Sequence, residues 1–483
     1  MKFARTTALV ASLFVTLSAG AAIAASPPSW EAARAAVLPP GATGLPQGYL
    51  PALSCASAGN CIATGDYTDS TNVTRGLILN EVAGVWKRPT SITAPAGAAA
   101  SSGITPYGAS CGSPGNCAVV GSYQDTAGRT QSFALNEVAG VWKRAVRINL
   151  PANAVVVGQS SQLRAVVCST STRCSATGVY LDDNKPIPRS QGYAVDEVAG
   201  TWRRAVQVRL PSDANANPFA SLGELACASG GNCAATGSYI DQQNVTHGLV
   251  VDEVAGAWRT GVALALPSDA NAYPSASLSS VSCPGIGDCT AIGTYLNAAG
   301  ALEGLTVSEH ARHWDRAITM QMPFGAAANP HVFFYGFSGI SCARPGTCAT
   351  GGQYRDSAGL YQGFLIDEVA GVWASAVELS LPTGAQAAGK NGGVVALSCT
   401  TAGSCSAGAA YLDASGAYQA LIVDEVNGIW RTGMMVTLPA GAATVGVDGG
   451  VYGLVCAKNG RCTATGSYQS SPTNYQGFTV SSR

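Results

Sequence analysis

Apolar and polar positions along this chain alternate with the two-residue period of a β-strand rather than the 3.6-residue period of an amphipathic helix. Residues 220–267 carry the pattern in full: ASLGELAC, CAATGSYID, THGLVVDE and AWRTGVALALP, separated by breaks rich in Gly, Asn and Pro. Four short strands joined by turns are predicted for this stretch. The unit recurs eight times. Its first cysteines fall at Cys55, Cys111, Cys168, Cys227, Cys283, Cys342, Cys399 and Cys456, at intervals of 56 to 59 residues. A four-strand unit at so regular a period predicts an all-β fold, an eight-bladed β-propeller of four-stranded blades.

The ends of the repeat bear on closure. Trp86, Trp142, Trp202, Trp258, Trp314, Trp373 and Trp430 each open a fourth strand, but the eighth unit stops at GFTVSSR, before its tryptophan. Trp30, in SWEAARAAVLPP, carries the missing fourth-strand pattern at the other end of the chain. The strand around Trp30 is expected to pair with the three C-terminal strands, closing the ring within one blade and leaving no long free sheet edge. An open solenoid would need polar capping units, which the sequence lacks.

Each first cysteine has a partner six residues on: Cys61, Cys117, Cys174, Cys233, Cys289, Cys348, Cys405 and Cys462. That spacing sets the two thiols opposite one another at the base of the hairpin between first and second strands. Eight structural disulfides are expected, pinning hairpins whose Gly and Ala residues specify register poorly. A zinc site would need a second closely spaced pair nearby, and none exists in sequence, so no metal and no cofactor are expected.

Three further residue types recur. Second strands alternate Cys, a small residue, Gly and Tyr on one face, as in Cys233, Ala235, Gly237 and Tyr239, which predicts a flat face for the next blade with Tyr and Trp as core residues. The Asp/Asn-Glu-Val-Ala-Gly-x-Trp-Lys/Arg string predicts a tight turn, with Gly at positive φ and acid–base pairs across the strands. Its Glu, Trp and Arg are also loosely similar in residue type to the sugar-gripping set of certain propeller lectins. Blade five departs from it with Ser308, Glu309, His310 and Arg312. Asp69, Asp125, Asp182, Asp241, Asp356 and Asp413, two residues after the tyrosine, read as turn residues rather than calcium ligands.

Composition narrows the setting. The start MKFARTTALVASLFVTLSAGAAIAAS reads as a secretory signal peptide over residues 1–25, leaving residues 26–483 as a single propeller domain in a secreted or periplasmic location. Sixteen cysteines, an even number, suit an oxidising compartment. Without Lys2 and Arg5 the chain holds 25 basic and 28 acidic residues, a balance that gives no footprint for nucleic acid. No later segment reaches twenty uninterrupted apolar residues, so no membrane span is expected. A monomer is expected.

Across residues from Trp30 to the C-terminus the chain resembles the broad class of secreted bacterial β-propellers built from disulfide-stapled repeats, which implies the fold but no site. The interblade loops vary most, and Asp213, Asp269, His331 and Tyr335 on them are the candidate ligand-binding residues. The function expected is a non-enzymatic binding or scaffold module for carbohydrate, cell-envelope or protein ligands. A propeller hydrolase or lyase with one site at the channel mouth, and a purely architectural surface protein, are the alternatives. No catalytic residue is assigned, because HExxH, GxSxG and the sialidase-type Ser-x-Asp-x-Gly-x-x-Trp repeat are all absent.

Overall fold

The computed structural model describes residues 28–42, 49–101, 103–154, 160–182, 188–335, 339–386, 392–443, 448–471 and 474–483. The expected leader, 1–25, lies outside them. All regular structure among the described residues is β-strand, arranged as eight antiparallel sheets, one per sequence unit. Blade four is representative. Its inner strand, Ser221–Ser229, pairs with Asn232–Ile240, which pairs with Thr246–Val254. The inner strands of all eight blades line one central channel. Among the described residues no helix is long and apolar enough to cross a membrane.

Closure follows the expected scheme. Arg34 and Ala35 pair with Thr479 and Phe478 at the outer edge of blade eight, and Trp30 bridges to Ser482. The N-terminal segment therefore supplies the outer strand to Gly450–Cys456, Cys462–Ser471 and Asn474–Ser481.

The outer strand itself differs from expectation. In blade four it is two fragments, Ala257–Trp258 and Val262–Ala263, both paired with the third strand. Between them the chain turns its N–H groups to the neighbouring blade. The residue three after each tryptophan donates its backbone N–H to a carbonyl seven residues after the previous tryptophan: Ala145 to Thr93, Ala205 to Asn149, Gly261 to Arg209, Ala317 to Ala265, Ala376 to Gln321, Gly433 to Ser380, and Ala33 to Thr437. Seven of the eight seams are stitched in this way. The eighth, between blades eight and one, has Pro89 at the donor position, and proline has no N–H to give.

All eight cysteine pairs are disulfides, each joining residues whose Cα atoms lie 3.9 to 4.1 Å apart across the first hairpin. Apolar packing is divided likewise into eight clusters, each shared by adjacent blades. The second-strand tyrosines are core, as expected. Tyr239 and Tyr295 are fully buried and donate their hydroxyls to Asp213 and Asp269 at 2.9 Å.

Two features of the Glu-Val-Ala-Gly turn depart from the expected picture. Both central residues take positive φ, as in Ala255 at 50° and Gly256 at 81°, which is the type I′ geometry that matches strand twist. The glutamates face Trp across the strand, as Glu253 does Trp258, and are buried to between 1 and 5% exposure instead of pairing with the flanking bases. The bases that follow the tryptophans point to solvent.

Candidate functional site

Hydrogen bonds between the Asp of the second-to-third-strand turn and its own loop account for that recurring carboxylate. In blade seven, Asp413 Oδ1 accepts the backbone N–H groups of Ser415 and Ala417, while Oδ2 accepts Gln419 Nε2 at 2.7 Å. The same arrangement recurs at Asp125, Asp241 and Asp356. These are Asx turns. In six blades the Ala of the interblade loop bridges to the same Asp, as Ala385 does to Asp413, and in blade five Ala270 bridges to Asn297, so loops and turns form one face of the ring.

On this face the sequence-predicted residues separate into two groups. Asp213 and Asp269 serve as acceptors for the core tyrosines. Asp213, Asp241 and His247 also bring one ligand atom each within 4.8 Å of one another. His247 there occupies the place of Gln419 in blade seven, bonded to Asp241 at 2.8 Å, so the trio is explained by the turn.

His331 and Tyr335 belong instead to an aromatic cluster. The His331 ring lies 4.9 Å from Phe333, which lies 6.2 Å from Tyr335 and 6.3 Å from Tyr361. Tyr335 is 41% exposed, and its hydroxyl donates to the buried Gln353 at 2.7 Å, which fixes the ring's direction. Its ring carbons sit 3.6 Å from where a Cβ would stand on Gly393, at the start of the inner strand of blade seven. Burial, with the Tyr361 and Tyr418 hydroxyls as lesser causes, pushes the Tyr335 phenol above its ordinary range.

The cluster extends through blades six, seven and eight because of a departure from the repeat that the consensus conceals. The third-strand residue paired with the one after the second-strand tyrosine is Thr74, Thr130, Ser190, Thr246 or Leu302 in blades one to five, but Tyr361, Tyr418 and Tyr475 in blades six to eight. Tyr475 donates its hydroxyl to Asp448 at 2.9 Å, and that hydrogen bond is the main cause raising its phenol. Asp448 also bridges to the main chain of Tyr418, tying blade seven to blade eight. Tyr452, on the inner strand of blade eight, is a further influence on Tyr475. The outcome is an arc of half-buried rings along one side of the loop face, beside the channel mouth.

Grooves on the opposite face repeat from blade to blade. One of about 490 Å³ between blades one and two is lined by Asn80, Glu81, Lys87, Glu137 and Trp142. Trp142 donates its indole N–H to Asn80 at 3.0 Å, and Asn80 in turn donates to Glu137, so these polar groups answer one another.

No family model and no curated protein matches the chain. Among solved structures, a lectin from Burkholderia pseudomallei is 16% identical, covers 81% of this chain and 99% of its own, and superposes with a TM-score of 0.42. A post-proline cleaving enzyme from Rickettsia typhi is 10% identical over 84% of this chain and 56% of its own, with a TM-score of 0.44. A six-bladed fucose-recognising propeller lectin from Aleuria aurantia is 12% identical over 72% of this chain and all of its own, with a TM-score of 0.30.

Proposed function

We propose that this protein is a carbohydrate-binding propeller acting outside the cytoplasm, and that it holds one oligosaccharide along the aromatic arc of blades six to eight. The observation that carries this reading is the run Tyr361, Tyr418 and Tyr475, three rings at equivalent positions in consecutive blades where the other five blades have Thr, Ser or Leu. Sugar rings present C–H faces that pack on aromatic rings and hydroxyls that need a few fixed partners. The arc offers both: half-buried rings, and the polar groups of Gln353, Asp448 and the phenols beside them. Eight disulfides suit an oxidising compartment.

A glycan array probed with the oxidised protein, followed by calorimetry on any hit, tests the reading. The expected result is one site per chain, weakened about tenfold or more by Tyr335→Ala or Tyr418→Ala. Several equivalent sites per chain, binding that survives both substitutions, or no glycan bound at all would overturn it. Cleavage of the bound glycan during the titration would overturn the binding-only role.

A further inference from the structure

The channel breaks the symmetry of the ring at one level. In seven blades the pairing of inner and second strands slips at the same place, leaving residues unpaired between Tyr49 and Ala52, Pro106 and Gly108, Leu163 and Ala165, Leu222 and Leu225, Leu278 and Ser280, Val394 and Ala396, and Val451 and Gly453. Such bulges re-aim the extra side chain away from the regular alternation. In blades two, three, four and eight the unpaired residues include Tyr107, Arg164, Glu224 and Tyr452, and all four line the channel. In blades five and seven they are the small, uncharged Ser279 and Val395.

Glu224 is the sharpest departure. Its position, three before the first cysteine, is Ala52, Gly108, Ala165, Ser280, Gly339, Ala396 or Gly453 in the other blades. Among the described residues neither Glu224 nor Arg164, on the adjacent inner strand, has a side-chain hydrogen bond or ion pair. The channel wall pushes the Glu224 carboxyl up to about 8, and a ligand cation placed beside it would draw it back to the ionised form. Two groups of opposite charge type are thus kept apart inside a cavity of about 290 Å³. Both side chains are partly exposed to the channel, so a ligand that enters it can reach each of them.

We propose that the channel is a second ligand site, distinct from the aromatic arc, which takes a small zwitterion with its ammonium group against Glu224 and its carboxylate against Arg164. Tyr107 and Tyr452 supply flanking ring surface for the carbon skeleton between the two charges. The cavity is at the small end of ligand pockets, which limits the occupant to a molecule of amino-acid size. Arg offers a carboxylate two parallel donors, so the anionic end is oriented as well as attracted.

Calorimetric titration of the whole oxidised protein with glycine, β-alanine, 4-aminobutanoate and 6-aminohexanoate, alongside butylamine and butanoate, tests this. One member of the zwitterion series is expected to bind at least about tenfold more tightly than either single-charge probe, and Glu224→Ala and Arg164→Ala are each expected to remove that preference. Glu224→Ala installs the residue that blades one, three and seven already carry at this position, and thermal unfolding checks that the variant is folded; Glu224→Gln, close in shape, serves in its place if it is not. No zwitterion binding above the single-charge probes, or binding indifferent to both substitutions, overturns the proposal.

Discussion

Trp430 of blade seven donates its indole N–H to both carboxylate oxygens of Asp367 in blade six, at 3.1 and 2.9 Å. The same link joins Trp142 to Asn80, Trp202 to Asn136, Trp314 to Asp252 and Trp30 to Asp424. Each of these tryptophans therefore anchors its blade to the one before it. Where the acceptor is Asp252 or Asp367, its charge also raises the carboxyl of the buried glutamate of the next blade, Glu309 or Glu425.

These seams predict how stability depends on pH. Burial pushes Glu253, Glu309 and Glu425 up to about 7 and Asp367 up to about 6, with the neighbouring aspartate a further cause for each glutamate. The folded state holds these protons more tightly than the unfolded chain, so the stability they contribute is full below about pH 4 and is lost as pH rises through about 7. Denaturant midpoints are expected to fall between about pH 4.5 and about pH 7.5. Glu425→Gln, which stays neutral, should flatten the slope, since each tenfold difference in proton affinity between the folded and unfolded chain corresponds to about 1.4 kcal/mol.

Blade five lacks the acceptor. Ser308 stands where the other links have Asp or Asn, and the Trp373 indole N–H is buried without a partner. Ser308→Asn should supply that acceptor, as Asn80 does for Trp142, and stabilise the protein by about 1 kcal/mol. A higher unfolding temperature is the expected reading; an unchanged one would mean that the new amide does not reach the indole.

Single disulfides should matter modestly. Replacing Cys399 and Cys405 together by Ala frees a short loop, and the loop-entropy relation gives a loss of roughly 2 kcal/mol. Urea midpoints of the double variant against the wild type, both in oxidised form, measure it.

Gly393→Val probes the arc without touching a tyrosine. A Cβ there would meet the Tyr335 ring at 3.6 Å, and the two further methyl carbons would displace it. Glycan affinity should drop about tenfold while the disulfides and the other blades stay intact.

Much of this architecture is legible in the sequence because it repeats. Blade number, disulfide pairing and the closing role of Trp30 all follow from the period of one motif and from where it is cut. Residues that depart from the motif are harder to read. The tyrosines at 361, 418 and 475 are visible in LYQGF, AYQAL and NYQGF, yet only if the differences between repeats are weighed as heavily as their consensus. Arg164 and Glu224 have no sequence signal of direction, since a bulge cancels the alternation from which direction is inferred. The Glu of the tight turn misleads for the opposite reason: beside exposed Lys and Arg it looks like half of a surface pair, but the strand register turns it toward the tryptophan.

Pro89 gives the ring a preferred place to part. Seven joints share a backbone link that the joint between blades eight and one lacks, and the apolar cluster at that joint is the smallest of the eight among the described residues. Thermal breathing or applied tension is therefore expected to be released there first, as in a split washer. The aromatic arc lies wholly on one side of the gap, in blades six to eight, and travels as a unit when it opens. The channel residues do not: Tyr452 stays with blade eight while Tyr107, Arg164 and Glu224 move off with blades two to four, so the same motion that leaves the arc whole unlocks the channel from the side.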